Sequence, residues 1–240
     1  MDPARIASLL APFLVPDSLK DDSLTGRQLA QVSTYLDLLL KWNARINLTS
    51  VRQPEEMVTR HFGESFFAAR QLCPPPVVIP SERDQIPLCG TKEREPRGLG
   101  FSNLIDVGSG AGFPGLPIKI YAPALTVTLV ESNQKKATFL REVVRALTFT
   151  SIDVFAGRAE DFPYTAAIVT LRAVEKPERA LPAAARLVAP GGRLALLLGA
   201  AQAGDAQGLL PGFSWAPPVA LPGSSYRILL IGESRNQEST

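Results

Sequence analysis

The sequence predicts an α/β fold: a mostly parallel central sheet with helices on both faces, plus an N-terminal helical portion. Three observations carry this. From Phe101 onward, apolar runs of strand length alternate with stretches of helical character, the pattern of a sheet whose crossovers are helices. Before about Leu72 the apolar residues recur at helical spacing instead, as at Leu29, Val32, Leu36, Leu39 and Leu40. Between one strand and its helix stands LIDVGSGAGFPGLP, Leu104 to Pro117, with four glycines in eight positions. Glycine costs backbone entropy, so such a cluster marks either a tight turn or the close approach of a ligand to bare backbone.

Taken in order, Thr25 with Gln28 three residues on forms a capping box for a long helix. Pro54 suits the first position of another helix, Glu55 and Glu56 favour its dipole, and it runs to about Arg70. Cys73 to Gly100 is rich in proline and charge, has no usable period, and reads as an exposed insertion or linker. The chain therefore divides into a helical portion over 1–72, an insertion over 73–100 and a core over 101–240. Strands are expected at 103–107, 125–131, 151–157, 166–173, 193–199 and 226–232. Helices are expected from about Gly115, over 134–147 and over 177–188. The segment 201–223 reads as loops with at most a short turn.

Bulk numbers exclude several classes. The chain has 240 residues and is 45% hydrophobic, enough for a sizeable core. Its 25 Lys and Arg face 23 Asp and Glu, so any nucleic-acid contact must come from a local patch. Cys73 and Cys89 have no metal or redox spacing, which fits a reducing cytoplasm. His61 is the only histidine, so no histidine-cluster metal site is expected. MDPARIASLL lacks the pattern of a signal peptide, and no apolar run reaches membrane-spanning length.

In sheets of this kind ligands bind beyond the carboxyl ends of the strands. The glycine stretch lies there. A dinucleotide fingerprint G-x-G-x-x-G starting at Gly108 fails on Phe113, while a shifted register through Gly110, Gly112 and Gly115 matches with Pro114 inside it. The other pattern is an acidic residue near the strand end followed by G-x-G-x-G: Asp106, Gly108, Gly110 and Gly112. It resembles the first motif of the Rossmann-like S-adenosylmethionine-dependent methyltransferases. In that fold Ser109, Phe113 and Pro114 belong to the same cofactor turn. Glu131, closing the next strand, would bind the ribose hydroxyls, and Ala159 and Glu160, after the third strand, would contact the adenine. Both cofactor classes use an acidic residue at the position of Glu131.

Two longer stretches narrow the choice. FSNLIDVGSGAGFPGLPIKIYAPALTVTLVESNQKKATFLREV and KWNARINLTSVRQPEEMVTRHFGES resemble the ribosomal small-subunit methyltransferase G family, once called glucose-inhibited division protein B. The resemblance covers most of the chain outside 73–100 and 201–223. It implies S-adenosylmethionine as donor and N7 of one guanine in the decoding region (the 530 loop) of 16S ribosomal RNA as acceptor. It further implies the small ribosomal subunit as partner, a cytoplasmic monomer, and no metal. The chain departs from the family pattern at Glu64, where the family has Asp. It departs again at Leu198, where a lysine is usual, and near the last strand, where the basic residue is Arg227 or falls on Tyr226.

Guanine N7 carries a lone pair and no proton, so its methylation calls for positioning and electrostatics rather than a general base. Arg172, at the carboxyl end of the fourth strand, is the expected catalytic and cofactor-side residue. It is placed to grip a phosphate or a base edge, or else to pair with Glu175 or another carboxylate. Asn47, Arg60, His61, Glu64, Lys135, Lys136 and Arg227 are the expected substrate-binding residues. Lys41, Arg45, Arg52, Arg141 and Arg145 extend the same basic character. His61 reads equally as a hydrogen-bonded helix residue, Asn43 and Asn47 as turn residues, and Trp42 as core. An NAD(P)-dependent oxidoreductase and a non-catalytic RNA- or ribosome-binding module stay open beside the methyltransferase reading.

Overall fold

The computed structural model describes residues 1–14, 23–73, 103–173 and 176–235. The expected insertion lies, from residue 74 on, outside the described residues, as do Cys89 and Glu175.

The helical portion comprises α1 (Pro3–Leu14), α2 (Gly26–Ile46), α3 (Pro54–Met57), a π-helical turn (Val58–Gly63) and α4 (Glu64–Leu72). The core runs β1 (Asn103–Val107), α5 (Gly115–Tyr121), β2 (Thr126–Val130), α6 (Gln134–Ala146), β3 (Ile152–Phe155), β4 (Ala166–Arg172), α7 (Pro177–Ala185) and β5 (Val188–Gly199). It then continues through α8 (Ala203–Leu209), β6 (Phe213–Trp215), β7 (Val219–Ala220) and β8 (Arg227–Ser234). The sheet order is β3-β2-β1-β4-β5-β8-β6, with β7 also on β8. Strands β1 to β5 pair in parallel, while β8 is antiparallel to β5, β6 and β7.

Alternation along each strand sends side chains to two apolar layers. Leu104, Val127, Leu129 and Ile168 join the layer beneath α2, α4, α5 and α6. Ile105, Val107, Val169 and Leu171 join the layer beneath α7 and α8. The helical portion is thus fused to one face of the sheet and packs there as part of its core.

Local chemistry sets the boundaries. The Thr25–Gln28 capping box forms as expected, and Gln28 also donates Nε2–H to the Ile120 carbonyl at 2.8 Å, tying the start of α2 to α5. Asn47 ends α2 in the left-handed region (φ 49°), a conformation asparagine tolerates better than most residues. Asn133 caps α6, its Oδ1 accepting from the backbone N–H groups of Lys135 and Lys136.

Two expectations are corrected. The helix beginning at Pro54 is not uninterrupted: it widens into the π turn at Val58–Gly63, a change imposed by packing that composition does not signal. The segment 201–223 holds α8, β6 and β7 rather than loops. Its helix has only seven residues, two of them glycine, and its strands have three and two. The strands owe their form to pairing with β8 and the helix to packing on α7, not to a periodic pattern.

Helix α5 approaches β1 closely enough to need Gly115. A Cβ at that position would lie 2.6 Å from Leu129 Cδ2 and 2.8 Å from Asp106 Oδ2. Gly115→Ala is expected to lower stability by about 1–3 kcal/mol, the usual cost of overpacking. Gly204→Ala, whose Cβ would meet nothing within 4 Å on α8, is expected to be neutral or stabilising by up to about 1 kcal/mol. Urea midpoints of the two variants check this contrast.

Candidate active site

Strand β1 lies between β2 and β4, so the strand order switches direction at its carboxyl end. Asp106 sits there, fully buried. Its Oδ1 accepts from Thr170 Oγ1 at 2.7 Å and its Oδ2 from the Gly115 N–H at 3.2 Å. Thr170 is its register partner on β4, so the two side chains meet because the strands pair in this register. Burial raises the Asp106 carboxyl to about 6, against the pull of these hydrogen bonds.

The turn after β1 follows the glycines. Gly108, Gly110 and Gly112 have φ of 64°, 57° and 90°, a region glycine enters without the steric cost other residues meet. The helical portion clamps this turn. The Tyr35 hydroxyl donates to the Ala111 carbonyl, and its ring stacks on Phe113 at 5.3 Å between centroids. His61 stacks on the same Phe113 at 4.9 Å. From β2, Glu131 closes the turn on the other side: its Oε2 accepts from the Gly110 N–H at 2.8 Å and its Oε1 from the Asn133 N–H at 2.7 Å.

Beyond the strand ends lies a cavity of about 240 Å³, lined by Gly108, Ser132, Ala159, Glu160, Arg179 and Ala183 among others. The structure thus brings Gly108 of the glycine turn together with Ala159 and Glu160, expected at the adenine, whereas Glu131, expected at the ribose, is not on the cavity wall. A Cβ at Gly108 would meet nothing within 4 Å, so bare backbone faces open space there. The site fits S-adenosylmethionine: bare backbone at Gly108 lets the cofactor approach, and the apolar side chains of Val130, Ala159 and Ala183 suit a purine, while Glu131 lies buried behind the turn. Ala159 and Glu160 are themselves held by Arg186, whose Nη2 donates to both of their carbonyls.

A second cluster stands at the carboxyl end of β4. Glu64, 1% exposed, opens α4. Its Oε2 pairs with Arg172 Nη2 at 2.8 Å, and its Oε1 meets Arg227 Nη1 at 2.5 Å as an ion pair without hydrogen-bond alignment. Arg172 also donates to the Arg60 carbonyl at 2.8 Å and, weakly, to the His61 carbonyl at 3.5 Å. The carboxylate that Arg172 meets is therefore Glu64. Burial pushes the Glu64 carboxyl up while Arg172, Arg227 and Arg60 pull it down. One carboxylate between two arginines leaves the group cationic.

His61 lies against this cluster. Its Nε2 shares a 2.7 Å hydrogen bond with Thr49 Oγ1, and its buried Nδ1 has no protein partner. Burial, and then the three neighbouring arginines, lower its pKa to about 2, so the imidazole stays neutral. Asn43 orders the loop that brings Thr49 there, its Oδ1 accepting from the Thr49 N–H at 2.9 Å. Arg60 is half exposed and pairs with Glu56 at 3.6 Å.

Other expected residues lie apart. Asn47 is exposed and bonds to Arg52 Nη2 at 3.2 Å. Lys135 and Lys136 lie in the first turn of α6, after β2, and are not on the wall of the pocket. Trp42 is half-buried and donates to Glu142 Oε2 at 3.1 Å, joining α2 to α6. The sequence did not disclose Thr170, Tyr35, Thr49 or Ser132. Only the β1–β4 register reveals Thr170, and only the packing of α2 reveals Tyr35. Among the described residues no group of three or more His, Cys, Asp or Glu is placed to hold a metal, and no helix is long and apolar enough to cross a membrane.

The model of the family described as rRNA small subunit methyltransferase G matches residues 28–73 and 96–209. A ribosomal RNA small subunit methyltransferase G from Chloroflexus aggregans is 37% identical over 87% of this chain and 82% of its own length. One from Xanthomonas campestris is 36% identical over 82% of this chain and 79% of its own. Among solved structures, a SAM-dependent methyltransferase from Aquifex aeolicus covers 57% of this chain and 85% of its own, with 15% identity and a TM-score of 0.48.

The burial of Asp106 has a pH signature. Its folded value of about 6 lies above the ordinary 3.8, so the unfolded chain releases this proton first as pH rises. The contribution to stability is full below about pH 3.8 and is lost as pH rises through about 6. Asp106→Asn can keep both hydrogen bonds, with the Thr170 hydroxyl turned to accept. The stability difference between variant and wild type is expected to move in the variant's favour between pH 4 and 6, by on the order of 3 kcal/mol. Urea titrations across that range measure it.

Proposed function

The chain belongs to the ribosomal RNA small subunit methyltransferase G family, and we propose that it methylates N7 of a guanine in the 530 loop of 16S ribosomal RNA. S-adenosylmethionine is the donor; bound beside Asp106 and Glu131, it supplies an electrophilic methyl group. The single observation that supports the reading best is the meeting of two sites at one switch point. A pocket of about 240 Å³ lies over the ends of β1 and β2, and a buried cationic cluster lies at the adjoining end of β4. Family membership sets the oxidoreductase reading aside.

The division of labour follows from the contacts. Glu131 and the glycine turn hold the nucleoside end of the donor. Asp106, buried and hydrogen-bonded by Thr170 and Gly115, fixes the start of α5 and places negative potential near the cofactor's cationic end. Arg172 acts on the acceptor side. Guanine N7 presents a lone pair and no proton, so neither side chain need take up a proton. The neutral His61 fits this, serving as a packing and hydrogen-bonding residue at the rim. Arg172 is held by Glu64 and two backbone carbonyls, which fixes its guanidinium at the end of β4 before an acceptor arrives. The substrate places the enzyme in the cytoplasm.

Transfer of labelled methyl from S-adenosylmethionine to small subunits lacking the modification tests the proposal, with the product nucleoside identified. Labelled N7-methylguanosine is expected. No transfer despite measurable cofactor binding would contradict it. In the same assay Arg172→Ala is expected to leave cofactor affinity nearly intact and to slow transfer by roughly 10²–10³. Equal loss of both would overturn the acceptor-side role.

A further inference from the structure

Glu64 has two sides. One pairs with Arg172 at the end of β4; the other, with Arg227, forms part of the wall of a separate cavity of about 420 Å³. That volume lies in the range of small-ligand sites. Helix α1 supplies an apolar wall through Pro12 and Phe13, Arg60 supplies a second cation, and Tyr226 stands at the rim. The wall itself holds Arg60 and Arg227 beside Glu56 and Glu64, and Arg172, behind Glu64, makes the wider cluster cationic.

Tyr226 is 60% exposed, although its backbone is fixed. Its carbonyl accepts from the Ala200 N–H at 2.8 Å, and Ser224 Oγ accepts from the N–H groups of Tyr226 and Arg227 at 3.4 and 3.1 Å. The Arg227 guanidinium carbon lies 5.5 Å from the centre of its ring. A lone exposed aromatic means little. A backbone-anchored ring beside an arginine, at the mouth of a cavity with an apolar wall and two arginines, offers what a nucleotide needs. The base finds a face to stack on and the phosphate finds guanidinium groups.

We propose that this cavity binds an unpaired RNA base stacked on Tyr226, with its phosphate at Arg60 and Arg227, next to the nucleotide presented at the end of β4. The inference rests on the reading of the chain as a ribosomal RNA methyltransferase and adds to it a second nucleotide subsite with its binding residue. A paired base buries its faces in the stack, so the site selects a looped-out or single-stranded segment.

The test uses the full chain with Tyr226→Ala, Tyr226→Phe and Tyr226→Trp. Each is titrated at fixed salt with a labelled single-stranded oligoribonucleotide of the target-loop sequence, and KM for small subunits is measured beside it. Tyr226→Ala is expected to weaken oligonucleotide binding about tenfold, the scale of one lost base stack. It should raise KM in proportion, with kcat and cofactor affinity little changed. Phe and Trp, which keep a ring, should bind as wild type or tighter. Binding by Tyr226→Ala equal to wild type, or Phe and Trp as weak as Ala, would overturn the proposal. Wild-type methyl transfer separates the two readings. The binding pattern without any wild-type transfer keeps the subsite and removes the reaction; transfer without the pattern does the reverse.

Discussion

The interaction on which the architecture turns is the buried carboxylate of Glu64 between Arg172 and Arg227. The three residues come from α4, the end of β4 and the start of β8, so one side chain joins the helical portion to two strands of the sheet. Removing one partner of such a group leaves an uncompensated buried charge, which typically costs about 3–5 kcal/mol. Arg172 also reaches back to the carbonyls of Arg60 and His61, within the π turn. The wider turn and the arginine therefore stabilise one another, and the helical layer is locked over the strand ends where the site lies.

The proposed cofactor and acceptor sides are built from different contacts that share β1 and β4. On the cofactor side, Asp106 and Glu131 organise backbone: one holds the first N–H of α5, the other holds Gly110 and Asn133. On the acceptor side, arginines gather around Glu64. Thr170 on β4 bonds to Asp106, and two residues on Arg172 bonds to Glu64, so a single strand carries both halves. The ring stack of Tyr35, Phe113 and His61 spans the same seam from the helical side. Rigid support of this kind suits chemistry that depends on orientation rather than proton transfer.

Much of this was legible in the chain. The strand–helix alternation, the Thr25–Gln28 capping box and the glycine turn each follow from local rules that tertiary contacts did not override. Asp106 and Glu131 were singled out as expectations by their resemblance to methyltransferase motifs and their places at strand ends. Arg172 was found for the same reason, but its partner was not singled out, because Glu64 lies 108 residues away in sequence and no local signal links them. The π turn, the short strands β6 and β7, and the helix α8 escaped because their form comes from packing and pairing. Tyr226 escaped as a site residue because an exposed tyrosine in sequence does not reveal the cavity behind it.

The account holds that the two sides are separable, with the cofactor held without the Glu64 cluster and the acceptor side dependent on it. The most direct measurement compares Glu64→Gln with Glu131→Gln for S-adenosylmethionine affinity and for methyl transfer to unmodified small subunits. Glu64→Gln is predicted to bind the cofactor within about threefold of wild type while transfer falls by on the order of 100-fold. Glu131→Gln is predicted to lose cofactor affinity first. Full transfer by Glu64→Gln, or a loss of cofactor binding equal to that of Glu131→Gln, would contradict the account.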